Sequence, residues 1–143
     1  MAKAQATVTI NAPVEKVFSF VNDPNKLMGL WPNVAEVKNV KGLPNGGNSF
    51  DFVYKMAGIR VAGTSEDIEV IPNQRVVNET RGGVKSKMIW TLEPTDGRTK
   101  LDVDVEYTVP VPVLGKLAEA IIVKMNNRDL RTVFAHLKDV LEE

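Results

Sequence analysis

The densest group of side chains that could perform acid/base or metal chemistry is a run of three carboxylates. Asp102, Asp104 and Glu106 alternate with apolar residues that begin at Leu101. Successive side chains of a strand point to opposite faces, so this period of two puts the carboxylates on one face and the aliphatic residues on the other. The pattern is typical of an antiparallel strand with one buried and one hydrated face. We therefore interpret the carboxylates as a solvated face.

The chain has one histidine, His136, and no cysteine. One histidine cannot form a two-histidine metal motif, and without cysteine there is no thiolate nucleophile or disulfide. On the helix predicted below, His136 shares a polar face with Asp129, Thr132 and Asp139, which favours a surface position. A role as a catalytic base would require a substrate group within hydrogen-bond distance. The common hydrolase and nucleotide-binding motifs are absent, and we expect no metal and no cofactor.

Bulky aromatic residues are the other group with functional potential, because they can line a binding cavity as well as fill a core. They are Trp31, Phe50, Phe52, Tyr54, Trp90 and Tyr107. Core packing is their simplest interpretation. If a cavity exists, its polar groups would come from Tyr54, Tyr107, Ser86 and Asn78.

These side chains must be positioned mainly by strands, since apolar and polar residues alternate along most of the chain. A first strand ends at Ile10, Pro13 then begins a short helix, and a further helical turn is predicted within 26–31. From 34 to 109 the period is two, interrupted by turns rich in glycine, proline and asparagine. The pattern predicts a seven-stranded, mostly antiparallel sheet with one buried face. The long fourth strand should be bulged or bent near Gly63.

The last predicted element is a long helix over 113–141. Its apolar residues have helical spacing, but those of its two halves face directions about a third of a turn apart. We therefore expect the first half to roof the sheet and the second half to pack on the first helix. One helix cannot easily fill a long curved sheet, so a cavity is expected beneath it. A dry cavity of about 300 Å³ would cost about 7 kcal/mol, and such a space must be hydrated, occupied or collapsed.

Composition limits the class of protein. The 143 residues are 43% hydrophobic and 25% charged, with 18 basic and 18 acidic side chains. Such a balance gives no global field that would attract nucleic acid. The N-terminal residues alternate like a strand and lack a signal-peptide core, and no run is long enough to span a membrane. We predict one cytoplasmic domain over 1–143, a monomer or weak homodimer without nucleic-acid partners or integral membrane association.

The order of strand, two short helices, six strands and long helix resembles the START/Bet v 1-like (SRPBCC) superfamily. Specific stretches resemble its polyketide cyclase/dehydrase and lipid-transport branch. They are 10–18 (INAPVEKVF), 23–24 (DP), 31–34 (WPNV), 90–94 (WTLEP), 96–99 (DGRT) and 127–143, which contains LKDVLE. The resemblance implies an α+β helix-grip fold. In this fold a seven-stranded antiparallel curved sheet wraps around a long C-terminal helix, with short helices after strand 1.

The superfamily shares a hydrophobic cavity between the sheet and the C-terminal helix, and only some of its members are enzymes. The resemblance therefore implies binding or transport of a hydrophobic small molecule such as a lipid, a quinone or a polyketide-like compound. The predicted ligand-binding residues are Phe52, Tyr54, Val61, Met88, Trp90, Val105, Tyr107, Leu114, Ala118, Ile122 and Met125. No catalytic constellation of the family can be transferred residue by residue.

Two alternatives remain open at this point. One is a cyclase or dehydratase that acts on an aromatic polyketide-like substrate, with Tyr54, Tyr107 or His136 as proton donor or acceptor. The other is a quinone-chaperone or protein-interaction module of the kind found among members of the same superfamily. We favour the non-enzymatic binding domain over both.

Overall fold

The structure is a computed structural model that describes residues 2–31, 33–56, 59–82, 85–108 and 115–142. It describes the side chains of these residues except at 2, 56, 59, 115–123, 125 and 126. The elements in chain order are β1 (Ala2–Ile10), α1 (Val14–Val21), α2 (Pro24–Met28), β2 (Val34–Gly42), β3 (Asn48–Met56), β4 (Ile59–Ile71), β5 (Arg75–Gly82), β6 (Lys85–Thr95), β7 (Arg98–Thr108) and α3 (Gly115–Leu141).

All described strands belong to one curved antiparallel sheet of seven strands, in the order β1-β7-β6-β5-β4-β3-β2. Strands β2 to β7 follow one another as neighbours, whereas β1 pairs with β7. Helix α3 packs against β1. The predicted α+β helix-grip architecture, with short helices after strand 1 and a long C-terminal helix, is therefore confirmed. No helix in the described part of the chain combines the length and apolar composition of a membrane span.

The outer face of the sheet carries the carboxylates of β7. Asp104 and Glu106 are exposed and Asp102 is half-buried, and Glu106 forms an ion pair of 3.8 Å with Lys3 on β1. Asp102 accepts a hydrogen bond from Oγ1 of Thr7 on the same neighbouring strand. The interpretation of these carboxylates as a solvated face is confirmed.

Helix α2 begins earlier in the chain than predicted, at Pro24 instead of within 26–31. Asp23 is its N-cap, since Oδ1 of Asp23 accepts hydrogen bonds from the backbone N–H groups of Asn25 and Lys26 at 3.0 and 3.4 Å. Proline is well suited to the first helical position because it lacks an N–H group that would need a partner there. The Asn-Asp-Pro sequence therefore both ends α1 and starts α2.

We predicted a bulge or bend in β4 near Gly63. The register shift lies instead between Asp67 and Glu69, in the pairing with β5. Gly63 sits in regular register opposite Phe52 on β3. A Cβ atom at this position would lie 2.8 Å from the Phe52 ring and 2.8 Å from the Arg81 carbonyl oxygen. Glycine is therefore required here for the close approach of the Phe52 ring and the Arg81 carbonyl.

The core lies between the sheet and the second half of α3. It combines the apolar stripe of α1 with inner-face residues of β6 and β7, and its α3 members are Leu130, Val133, Phe134, Leu137 and Leu141. Two lysines at the edge of this core form hydrogen bonds between its elements. Lys16 of α1 donates to the Leu141 carbonyl, and Lys138 of α3 donates to the Thr9 carbonyl, both at 3.0 Å. The last carbonyls of a helix lack partners within it, so the Lys16 bond also stabilises the end of α3.

Leu137→Ala should lower the free energy of unfolding by about 2 to 5 kcal/mol, because it removes a fully buried side chain and leaves a cavity. The Leu137 side chain is 0% exposed, whereas Val140 on the same helix is 41% exposed. Val140→Ala is the matched control and should change stability by no more than about 0.5 kcal/mol. Urea denaturation measures both, and equal effects of the two variants would contradict this assignment of the core.

Candidate functional site

A cavity of about 170 Å³ lies between the inner face of the sheet and the three helices. Helix α2 contributes Pro24, Leu27 and Met28 to its wall, and α3 contributes Leu130. Every strand of the sheet also supplies at least one side chain. The cavity is therefore formed by tertiary packing across the whole chain.

Aromatic side chains make up much of the apolar wall. Trp31 and Trp90, the two tryptophans of the chain, both line the cavity and meet edge to face with ring centroids 6.5 Å apart. Trp90 also lies 6.0 Å from the Phe134 ring of α3. Phe50 and Phe52 form a second edge-to-face pair at 6.3 Å. Aromatic pairs in such geometry contribute roughly 0.5 to 1.5 kcal/mol beyond the burial of their area, so they stabilise the apolar wall.

Strand register places a row of four hydroxyl-bearing side chains across the inner face, with Phe50 at its end. Phe50, Ser65, Thr80, Ser86 and Tyr107 are direct cross-strand neighbours on five consecutive strands. All of them line the cavity, and the Thr80 and Ser86 hydroxyls share a hydrogen bond of 2.6 Å. An antiparallel sheet normally presents apolar residues to its covered side, so hydroxyl groups at these positions are unusual.

The next row adds a carboxylate and an amide, Asp67 and Asn78, which also line the cavity. Nδ2 of Asn78 donates to Oδ1 of Asp67 at 2.9 Å and to the Ser65 hydroxyl at 2.7 Å. The backbone N–H of Asn48 donates to the other Asp67 oxygen at 2.8 Å. Burial raises the pKa of Asp67, and these donors oppose that shift. We call Ser65, Asp67, Asn78, Thr80 and Ser86 the polar belt.

A second polar cluster connects the cavity to α3. Asp129 is 5% exposed and accepts a hydrogen bond from Nδ2 of Asn33. The Asn33 side chain is also hydrogen-bonded to the Tyr54 hydroxyl, which lines the cavity. Burial raises the pKa of Tyr54 above its ordinary value of 10.0, and the nearby Asp129 and Tyr107 add to this increase, whereas the Asn33 bond opposes it. The Tyr54 hydroxyl therefore keeps its proton at neutral pH.

The structure brings together six of the predicted ligand-binding residues. Phe52, Tyr54, Met88, Trp90, Val105 and Tyr107 all line the cavity. Val61 lies directly across from Tyr54 on the inner face but is not among the described lining residues. His136 is exposed on α3 and is likewise not among them. A contact between any of these residues and a ligand remains a prediction.

The predicted roof of the cavity lies outside the described part of the structure. Leu114 is outside the described residues, as are the side chains of Ala118, Ile122 and Met125. Their assignment as ligand contacts remains a prediction.

Sequence reasoning missed Ser65, Asp67 and Thr80 as cavity residues. The signal was present, because Ser65 and Asp67 continue the alternation that begins at Val61, and Thr80 continues the one that includes Asn78. Their polarity concealed it, since a polar residue in an antiparallel strand ordinarily marks the hydrated face. The Asn33–Asp129 contact joins residues 96 positions apart and has no signature in a single sequence.

Asp129→Asn should stabilise the protein relative to wild type increasingly as the pH rises from about 4 to 7. Burial raises the pKa of Asp129 above its ordinary value of 3.8, so the folded state holds this proton more tightly than the unfolded state. The resulting stability is present at low pH and is lost as the pH rises through the raised pKa. The asparagine cannot ionise and can still accept the Asn33 hydrogen bond. Urea denaturation at stepped pH provides the measurement.

The matched control for this experiment is Asp139→Asn, which changes an exposed carboxylate on the same helix. Both free energies of unfolding are compared with the wild-type value at each pH. Parallel pH profiles for the two variants would show that the environment of Asp129 is not the cause.

Comparison with known structures places this fold among solved proteins of low sequence identity. One similar structure is the protein TTHA0849 from Thermus thermophilus, with a TM-score of 0.82, 18% identity, and coverage of 96% of this chain and 94% of that chain. A START superfamily protein from Mycobacterium smegmatis has a TM-score of 0.80 at 17% identity, covering 99% and 98%. The Zhui aromatase/cyclase from Streptomyces sp. R1128 has a TM-score of 0.74 at 17% identity, covering 95% and 93%.

Sequence comparison identifies the family. A search of curated protein sequences gives no match. The model of one family, described as polyketide cyclase / dehydrase and lipid transport, matches residues 1–142. This match shows that the chain belongs to the polyketide cyclase/dehydrase and lipid-transport family, and the helix-grip fold agrees with it.

Proposed function

We propose that the chain acts as a single domain that binds a hydrophobic small molecule between the sheet and α3. The observation that carries this proposal is the cavity of about 170 Å³ with its paired aromatic side chains. A ligand that covers this apolar wall and displaces water from it gains roughly 25 cal/mol for each Å² of apolar surface removed from water.

The dimensions of the cavity favour a small ligand or part of a larger one. Pockets for drug-sized molecules typically measure roughly 300 to 1,000 Å³, whereas an apolar cavity of about 150 Å³ accepts a benzene-sized molecule. We expect one ring or a short chain to occupy the described space. Lipids, quinones and polyketide-like compounds all offer such a part, and the family description includes lipid transport and polyketide chemistry.

A second candidate function is a cyclase or dehydratase reaction on an aromatic polyketide-like substrate. The observation that favours it is the pair of cavity tyrosines, of which Tyr54 is hydrogen-bonded through Asn33 toward Asp129. Dehydration requires one group to take a proton from carbon and another to give a proton to the departing hydroxyl. A protonated tyrosine in the cavity wall suits the second role. The likeness to the Zhui aromatase/cyclase adds support at the level of the fold.

The two tryptophans provide a direct test of binding, because a ligand that enters the cavity must alter their surroundings. Titration with lipids, quinones and aromatic phenols should change the fluorescence of the wild-type protein in a saturable way. Val105→Phe should weaken this binding by about tenfold or more, because the larger side chain occupies the cavity. Native mass spectrometry should detect the same complexes.

Val53→Phe is the matched control. Val53 alternates with the cavity residues Phe52 and Tyr54 on β3 and therefore faces the opposite side of the sheet. The Val53→Phe variant should therefore bind ligand with an affinity within about threefold of wild type. The absence of saturable binding across the whole panel would refute the proposed function, and equal affinity in the two variants would place the binding elsewhere.

For the enzymatic candidate, Tyr54→Phe and Tyr107→Phe should reduce turnover of an aromatic polyketide-like substrate by about 10²- to 10⁴-fold, with substrate binding retained. Product formation is measured by chromatography at saturating substrate. His136→Gln is the control, since His136 is exposed on α3. Wild-type turnover in a Tyr54→Phe/Tyr107→Phe double variant would exclude the tyrosines as proton donors.

A further inference from the structure

The polar belt supplies an excess of hydrogen-bond acceptors over donors. Both amide hydrogens of Asn78 are used, one by Asp67 and one by Ser65. Because only the NH₂ end of an amide can donate to a carboxylate, this arrangement fixes the Asn78 side chain and leaves its Oδ1 as an acceptor. The Thr80 and Ser86 hydroxyls use one of their hydrogens on each other. A ligand that meets the belt therefore finds mainly oxygen lone pairs.

The charge of the belt is negative, and it favours the same hydrogen-bond-donating ligands as the acceptor oxygens do. Asp67 is the carboxylate among the described lining residues, and no described lining residue is a lysine, an arginine or a histidine. The described ion pairs do not include Asp67. Its two oxygens accept one hydrogen bond each, from Asn78 and from the Asn48 backbone, whereas a carboxylate can accept about four. Acceptor capacity and negative charge therefore remain at the cavity wall.

A second carboxylate, Asp129, lies behind the part of the cavity wall that Tyr54 forms. Asp129 is buried on α3 and reaches the cavity through Asn33 and Tyr54. An anionic ligand in this space would be repelled by both carboxylates and would find no basic side chain among the described lining residues. A cation or a neutral hydrogen-bond donor would instead complement the belt.

We propose that the cavity selects apolar ligands whose polar end donates hydrogen bonds, an amine or an alcohol, and rejects carboxylate amphiphiles such as fatty acids, with Asp67 as the specificity-determining residue. This inference rests on the proposed binding function and narrows its ligand class. The apolar body of the ligand lies against Trp31, Trp90 and Phe52. Its donating group lies against Asp67 and Asn78.

Asp67 also has a structural role that the test must separate from selectivity. Its carboxylate holds the Asn48 backbone, and its own carbonyl accepts a hydrogen bond from Nδ2 of Asn45 at 2.8 Å. Asp67→Asn preserves size and an acceptor oxygen but removes the charge. A purely structural residue would alter stability in this variant without changing the order in which ligands bind.

Three probes with the same six-carbon body isolate the polar end: hexylamine, hexanol and hexanoate. Their dissociation constants are measured at pH 7, where the amine is cationic and hexanoate anionic. Tryptophan fluorescence and calorimetry supply the readout. Wild-type protein should bind hexylamine and hexanol at least about tenfold more tightly than hexanoate. In Asp67→Asn the ratio of hexylamine to hexanoate affinity should fall by about tenfold or more.

Asp104→Asn, the same substitution on the outer face of β7, is the matched control and should keep the wild-type ratio. If the wild-type protein binds hexanoate as tightly as it binds hexylamine and hexanol, the inference is wrong, and no variant is needed to show it. A ratio that persists in Asp67→Asn would overturn the role of Asp67, and Asp67→Ser replaces this variant if it does not fold. Failure of these probes and of the whole ligand panel would instead overturn the binding function itself.

Discussion

The packing of the second half of α3 onto the sheet is the interaction on which the rest of the structure depends. Leu130, Val133, Phe134 and Leu137 lie in one core with the α1 stripe and with the inner faces of β6 and β7. An antiparallel sheet of this size has one apolar face that must be covered, and α3 is the long element available to cover it. The cavity lies beside this core, along the rest of the inner face.

The cavity results from the division of the inner face into two parts. Toward one end of the strands, Trp90, Leu92, Leu101 and Val103 are buried and complete the core. Toward the other end, the inward positions carry the polar belt, whose side chains are too short and too polar to meet in a dry core. The belt satisfies much of its hydrogen bonding internally, which offsets the cost of placing polar groups on the covered face.

The alternation of residues predicted the sheet, its number of strands and the face on which most cavity residues lie. The parity of β3, β6 and β7 placed Tyr54, Trp90 and Tyr107 correctly on the covered side. Parity along β4 carried the same information for Ser65 and Asp67, but their polarity argued for the opposite face. Helix α2 begins before the predicted turn because Asp23 caps it and Pro24 takes its first position, whereas a proline after Asn-Asp is also a signal for the end of a helix. Long-range contacts such as Asn33 with Asp129 depend on how the elements dock, which periodicity does not encode.

The pairing of β1 with β7 has a consequence for the synthesis of the chain on the ribosome. Every residue of β1 finds its partner about a hundred positions later, from Ala2 opposite Tyr107 to Ile10 opposite Thr99. Strand β1 emerges long before β7 exists, and α3, which covers it, emerges after both. Loop closure of this length slows folding and leaves unpaired strand edges exposed to other nascent chains. The β2-to-β7 meander, in contrast, can pair hairpin by hairpin as it leaves the exit tunnel, so β1 is the first strand of this sheet to be made and among the last to pair.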